Sequence, residues 1–227
     1  MLASIPSAML LGASGHPVTV EVHVGAGLPS YRIVGLPDAA CRESRDRVRA
    51  AVLSSELPWP SACITVNLAP SGRRKTGAGL DLAIAMGVLV ASRAIPPESV
   101  TGHGFVGELG LDGSLRRVPG VAPMVAVLDD LAVVVPIASS PEAHVATTGA
   151  VHVASTLTEV VTCLTTETPW PVDAALRSAT RPHLLPILPT CAASPLPGMR
   201  WRSPQQGATI CCWSVRPGRA RRCWRNA

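Results

Sequence analysis

Three consecutive cations, Arg73, Arg74 and Lys75, lie in a glycine-rich run from Ser71 to Gly79, just ahead of an apolar helical pattern. Cations on a loop suit phosphate oxygens, and the unpaired N–H groups of a helix N-terminus favour the same anions. Arg73, Arg74 and Lys75 are therefore the candidate contact for DNA or another polyanion. A plain connecting loop is the simpler reading of the same residues. The run is not a nucleotide-phosphate loop of the G-x-x-x-x-G-K-[ST] kind, because Lys75 precedes Gly77 and Gly79. No such motif occurs in the frame as translated, so no catalytic or nucleotide-binding residue is assigned. His16, His23, His103, His144, His152 and His183 show no ligand spacing, and no metal site is expected. Cys41, Cys63 and Cys163 fit neither a disulfide framework nor zinc spacing. They read as buried free thiols in a reducing cytoplasm.

The remaining cysteines lie in a C-terminal segment of different character. Residues 1–170 carry ten Arg and one Lys against fourteen acids, whereas 171–227 carry nine Arg against Asp173 alone. The formal charge of +5 therefore belongs to the C-terminal part. Gly198–Ala227 (GMRWRSPQQGATICCWSVRPGRARRCWRNA) has no hydrophobic period. Joining the third base of each codon to the first two of the next changes this picture. The code then permits HALEVAAAGRHHLLLVGPPGAGKTMLAER, with Cys211-Cys212-Trp213 fixing two leucines and Cys223-Trp224 a third. That reading has an apolar strand, GPPGAGKT and a helix start, the strand-to-helix context in which a Walker A loop cradles phosphates. A frameshift is therefore expected, with the ATP site lost. Pro169, Pro171, Pro182, Pro186, Pro189, Pro195 and Pro197 interrupt any pattern beyond Thr168, so 169–227 is expected to be a disordered tail.

The elements that would position the Arg73–Lys75 loop belong to a domain over residues 1–168, long enough for a sizeable core. Only Phe105, Tyr31 and five Trp are aromatic, so that core must come from Val, Leu, Ile and Ala. Ser7–Ala13 and Val18–Val24 predict a hairpin turning at Gly15-His16-Pro17, with Val18, Val20, Val22 and Val24 on one face. Tyr31–Val34 predicts a third strand. Asp38 caps a helix to about Ser54, whose charges three and four apart (Arg42/Asp46, Glu43/Arg47, Asp46/Arg49) predict a solvated, ion-paired face. Ser61–Leu68 predicts a strand and Leu80–Ser92 a helix. Phe105–Leu109 and Leu115–Val118 flank the turn signal Asp112-Gly113. Helices near Val121–Leu128, after Ser140 and over Thr156–Leu164 alternate with strands at Leu131–Val135 and Val151–Val153. The fold class is α+β or mixed α/β, a two-layer mixed sheet with helices. No apolar stretch reaches transmembrane length without Gly, Pro or charge, so a soluble, cytoplasmic chain without membrane contact is expected.

Several stretches together resemble the N-terminal domain of the magnesium-chelatase-like AAA+ ATPases of the ComM/YifB type. They are Thr19–Val22 with Gly27-Leu28-Pro29, Ile33–Asp38, Glu43–Arg49, Ile64–Pro70, Leu80–Ala85, Gly107–Leu109 and Leu111–Arg116. The resemblance covers about residues 1–165 and implies an AAA+ module next, where the shifted frame places its Walker A. It implies ATP and Mg as cofactors of intact members, ring assembly through the ATPase module, and ATP-driven DNA remodelling in branch migration during transformation. As translated, this chain would be a truncated, non-enzymatic remnant without cofactors. The alternative is a stand-alone accessory module that binds DNA or a protein partner through the Arg42–Arg49 helix or the Arg73–Lys75 loop. The resemblance also implies a fold like the proteolytic domain of Lon, which works with a Ser–Lys pair. The comparable segments here, Thr76–Leu80 and Val118–Ala122, lack both groups, so no peptidase activity is expected.

Overall fold

A computed structural model describes residues 1–166 and 168–172. The expected disorder and basic charge of the C-terminal tail fall, from residue 173 on, outside the described residues. The elements in order are β1 (Leu2–Leu11), β2 (Ser14–Gly25), β3 (Ser30–Val34), α1 (Ala39–Ser54), β4 (Cys63–Ala69), α2 (Asp81–Ala91), β5 (His103–Phe105), β6 (Glu108–Leu109), β7 (Leu115–Arg116), α3 (Val121–Ala126), β8 (Ala132–Pro136), α4 (Ser140–Ala146), β9 (Val151–Ala154) and α5 (Leu157–Thr165). The class is mixed α/β, with a mixed sheet and helices.

Period-two alternation builds the first sheet, of order β1-β2-β4-β3. Val18, Val20 and Val22 are buried while Pro17, Thr19 and His23 are exposed. The antiparallel register sets Ile5, Val20 and Leu68 in one row. The next row is Ala3, Val22 and Val66, joined by Ile33 of parallel β3. The hairpin turns at Gly12-Ala13, not at Gly15–Pro17, since β2 already begins at Ser14. Pro17 is tolerated inside β2 because β4 joins only from Thr19 onward, so its missing N–H costs the β2–β4 ladder nothing.

Helix α2 is buried along its whole length, as its all-round apolar sequence demands. It packs on β1, β2 and α1 and also touches β5 and β6. Phe105–Leu109 does not continue as one strand. Its first part, β5, pairs in parallel with β8, which pairs in parallel with β9, while β6 turns back onto β7. Strand pairing is thus divided among three sheets instead of the single mixed sheet expected. Ser7 Oγ donates to Phe105 O at 2.6 Å and ties β1 to β5 inside the core. A second cluster (Val106, Val121, Val125, Val133, Val135 and neighbours) lies under α3 and α4. Past the expected boundary at Thr168, Trp170 packs on the main core and stacks on His152 with centroids 4.6 Å apart.

Gly87 marks the closest approach of α2 to the first sheet, since a Cβ there would meet Val22 Cγ2 at 2.5 Å. Gly87→Val should destabilise the protein. Overpacking costs about 1–3 kcal/mol, and the gain in helix propensity is only roughly 0.3–0.5 kcal/mol. A lower urea midpoint with unchanged slope is the expected result. An unchanged midpoint would show that α2 can back away from β2.

Candidate functional site

The loop between β4 and α2 is fastened at most of its length. Lys75 N donates to Leu36 O at 3.1 Å, and Asp38 N donates to Lys75 O at 2.9 Å, which makes a bridge between Pro37 and Lys75. Asp38 then serves twice. Its Oδ1 accepts from Cys41 N at 2.8 Å, capping α1, and its Oδ2 accepts from Gly77 N at 3.2 Å. Cys41 Sγ donates to Gly77 O at 3.2 Å. Burial, followed by the Asp38 charge, pushes the Cys41 thiol up to about 12, so it stays a protonated donor.

Of the three candidate cations, the structure leaves two in solvent. Arg73 and Arg74 are exposed, and Arg73 Nη1 lies 2.6 Å from His16 Nδ1. Lys75 is fully buried, and its ammonium donates to Pro70 O and Arg73 O, the latter at 2.8 Å. Burial lowers its pKa below the usual lysine range. Lys75 therefore cannot share an exposed patch with its neighbours, which corrects the expectation of three contiguous contacts. The expected free N–H groups at the start of α2 are also taken. Asp81 N donates to Ala78 O at 3.1 Å and Leu82 N to Gly107 O at 3.0 Å. A buried carboxylate, Asp81, occupies the same first turn. The first turn of α2 thus presents a buried carboxylate and two N–H groups that are already bonded.

Asp81 is held by Arg47, which α1 turns inward instead of into the expected solvated face. Arg47 Nε and Nη2 donate to the two carboxylate oxygens at 2.7 and 3.1 Å. The Asp81 side chain is 0% exposed and that of Arg47 18%. Glu43 lies 3.7 Å from Arg47, while Leu109 N adds a long bond to Asp81 at 3.4 Å. Burial pushes the Asp81 carboxyl up to about 6 against the pull of Arg47, so it is ionised at neutral pH.

Thr76–Leu80 and Val118–Pro119, the segments comparable to the peptidase pair, line one cleft of about 280 Å³ with Met9 and Met124. Among the described residues, its only lining side chains with polar oxygen are Thr76 and Glu108. The Thr76 hydroxyl donates to Leu10 O at 3.2 Å, and among the described residues no lysine or histidine lines the cleft to activate it. A second cleft, of about 360 Å³, lies between α1 and the segments around β3 and β4, lined by Tyr31, Trp59, Arg45 and Arg49 among others. Sequence reasoning missed this cleft. The four-residue spacing of Arg45 and Arg49 was its one available signal.

Arg47→Met removes the partner of a buried charge, which costs about 3–5 kcal/mol for such pairs. The folded-state pKa of Asp81 lies above its ordinary value, so the folded protein binds the extra proton as pH falls. Without Arg47 that pKa rises further. The loss of stability in the variant should therefore be larger at pH 8 than at pH 5, as measured by urea unfolding. Equal losses at both pH values would show that Asp81 does not depend on Arg47.

With this geometry in place, residues 20–139 match the sequence profile of the family described as ChlI, subunit ChlI of Mg-chelatase. The chain is 43% identical over 119 residues to an uncharacterized protein, YifB, of Escherichia coli (strain K12), covering 52% of this chain and 24% of the relative. It is 41% identical over 124 residues to competence protein ComM of Haemophilus influenzae, covering 55% and 24%. An uncharacterized protein of Mycobacterium tuberculosis is 45% identical over 140 residues, covering 60% and 28%. The chain spans about a quarter of the length of these curated relatives. The profile runs from within β2 to just past β8, and the chain belongs to the magnesium-chelatase-like family of the ComM/YifB type.

Proposed function

We propose that this chain carries the N-terminal, non-ATPase domain of a ComM/YifB-type DNA-remodelling protein, with the start of the ATPase module translated out of frame in Gly198–Ala227. The shifted reading of that segment carries the proposal, because it ends in a complete G-x-x-x-x-G-K-[ST] loop between a strand and a helix start. Family membership supports it, since the resemblance places an AAA+ module after this domain. ATP, Mg and ring assembly go with that module, and a cytoplasmic location goes with the DNA role. Among the described residues, no helix is long and apolar enough to cross a membrane. The relation to the Lon proteolytic fold belongs to the same reading. The cleft that unites Thr76–Leu80 with Val118–Pro119 supports it, and the missing Ser and Lys argue against peptide hydrolysis.

The chain as translated hydrolyses no nucleotide, and its role is binding. Arg73 and Arg74 favour a DNA contact, because both are exposed and neither has an ion-pair partner among the described residues. The gene, read across the codons ahead of Gly198 and on past Ala227, should encode the ATPase in the plus frame. An in-frame gene with no such continuation would overturn the proposal. Purified chain should show no ATP turnover. Arg73→Ala with Arg74→Ala should weaken duplex binding and reduce its log–log salt slope by about 1.8, roughly 0.9 per phosphate contact. Lys75→Ala should lower the melting temperature and leave that slope unchanged. ATP turnover lost in Lys75→Ala would make the loop a phosphate site after all.

A further inference from the structure

We propose that the cleft between α1 and the Tyr31–Trp59 ring pair binds single-stranded nucleic acid, with one base against the aromatic wall and neighbouring phosphates on Arg45 and Arg49. Tyr31 and Trp59 stack with centroids 6.1 Å apart and planes 19° from parallel. Both pack on the core, so the aromatic wall is rigid. The Tyr31 hydroxyl is buried with no hydrogen-bond partner, and burial raises its pKa, so it remains a neutral, unpaired donor.

The lining is also cationic. Arg45 and Arg49 stand one helical turn apart, on the same face of α1. Arg49 has no ion pair among the described residues. Arg45 lies 3.4 Å from Asp46, with both side chains more than half exposed, a contact that competes weakly with a ligand. Among the described residues, no acidic one lines the cleft. Ser30 and Ser61 add hydroxyls to the rim, and the volume of about 360 Å³ suits one nucleotide.

Flat apolar rings beside guanidinium groups are the means by which proteins hold unpaired bases and their phosphates. A duplex keeps its bases in the stack and presents only phosphates, so it would leave the aromatic wall unused. An acidic peptide would use the arginines alone. The site is separate from Arg73 and Arg74 and stands or falls independently of them.

The test uses the full chain, so that the arginines of 171–227 contribute equally to every variant. A fluorescein-labelled oligo(dT) is titrated by anisotropy at about 50 and about 200 mM salt. Arg45→Ala with Arg49→Ala should weaken binding about tenfold and reduce the slope by about 1.4, roughly 0.7 per phosphate on a single strand. Oligo(dT) should quench tryptophan fluorescence. In Trp59→Phe that quenching should fall by the share Trp59 contributes, with the four other tryptophans unchanged, while the anisotropy affinity holds, because Phe keeps the ring. Affinity and slope unchanged in the double arginine variant would overturn the site, as would quenching that is undiminished in Trp59→Phe. Preferential binding of poly-Glu through Arg45 and Arg49 would overturn it in favour of an acidic protein. Loss of duplex binding in Arg73→Ala with Arg74→Ala, with oligo(dT) binding intact, would confirm that the two contacts are distinct.

Discussion

Asp81 opens a helix that has no solvent-facing side, so its charge has to be answered inside the protein. An unpaired carboxylate there would cost several kcal/mol or have to take up a proton. Arg47 meets it with a two-point contact at 2.7 and 3.1 Å. The same guanidinium donates to Ala40 O at 3.0 Å, and Leu109 N reaches the carboxylate from the β6 hairpin. One ion pair therefore fixes the relative placement of α1, α2 and β6. Replacing such a pair by apolar residues is often tolerable in a redesigned core, so its value lies in register more than in raw stability. With Arg47 directed inward, Arg45 and Arg49, each roughly 200° away around the helix, must face elsewhere.

The loop ahead of α2 is shaped by a related constraint. Lys75 is as buried as Leu82, and its ammonium rests on two backbone carbonyls. Those carbonyls leave β4 and the tip of the loop, where neither sheet nor helix could satisfy them. Lys75 thus closes a turn from within. Asp38 holds the far side by capping α1 and binding Gly77 N. A segment anchored at Leu36, Asp38, Cys41 and Leu10 has little freedom to wrap around a ligand. Its chemistry is confined to the outward side chains of Arg73 and Arg74.

Much of this architecture was legible in the sequence where the signal is local. The alternation in β2 placed its valines on the core face, and Asp38 capped α1 where expected. The Asp112-Gly113 turn joins β6 to β7, and Thr156 accepts from Glu159 N as α5 begins. The failures came where distant partners decide. Arg47 reads as one charge among many until Asp81, thirty-four residues on, is brought beneath it. Lys75 reads as a solvated cation until Pro70 and Leu36 enclose it. The run Phe105–Leu109 looks like one strand because hydrophobicity cannot show that β5 serves β8 while β6 serves β7. Of the candidate site, the sequence revealed Arg73 and Arg74, and the cleft at Arg45 and Arg49 emerged only when Tyr31 and Trp59 met across β3 and β4.

Charge distribution limits what such a domain can bind. Residues 1–170 are net acidic, so the domain as a whole repels a polyanion, and contact has to come from places where acids are sparse. Two places meet that condition, the exposed arginines of the β4–α2 loop and the arginine wall of the α1 cleft. They differ in what they add to charge. The loop offers guanidinium groups and nothing flat or apolar, which suits phosphates regardless of base. The cleft offers guanidinium groups beside rigid rings, which suits an unpaired base whose phosphates lie close by. Salt screens both attractions within about 8–10 Å at physiological strength, but it leaves the stacking contact nearly untouched. A strand held in the cleft should therefore tolerate salt better than a duplex held at the loop, because only part of its affinity is electrostatic.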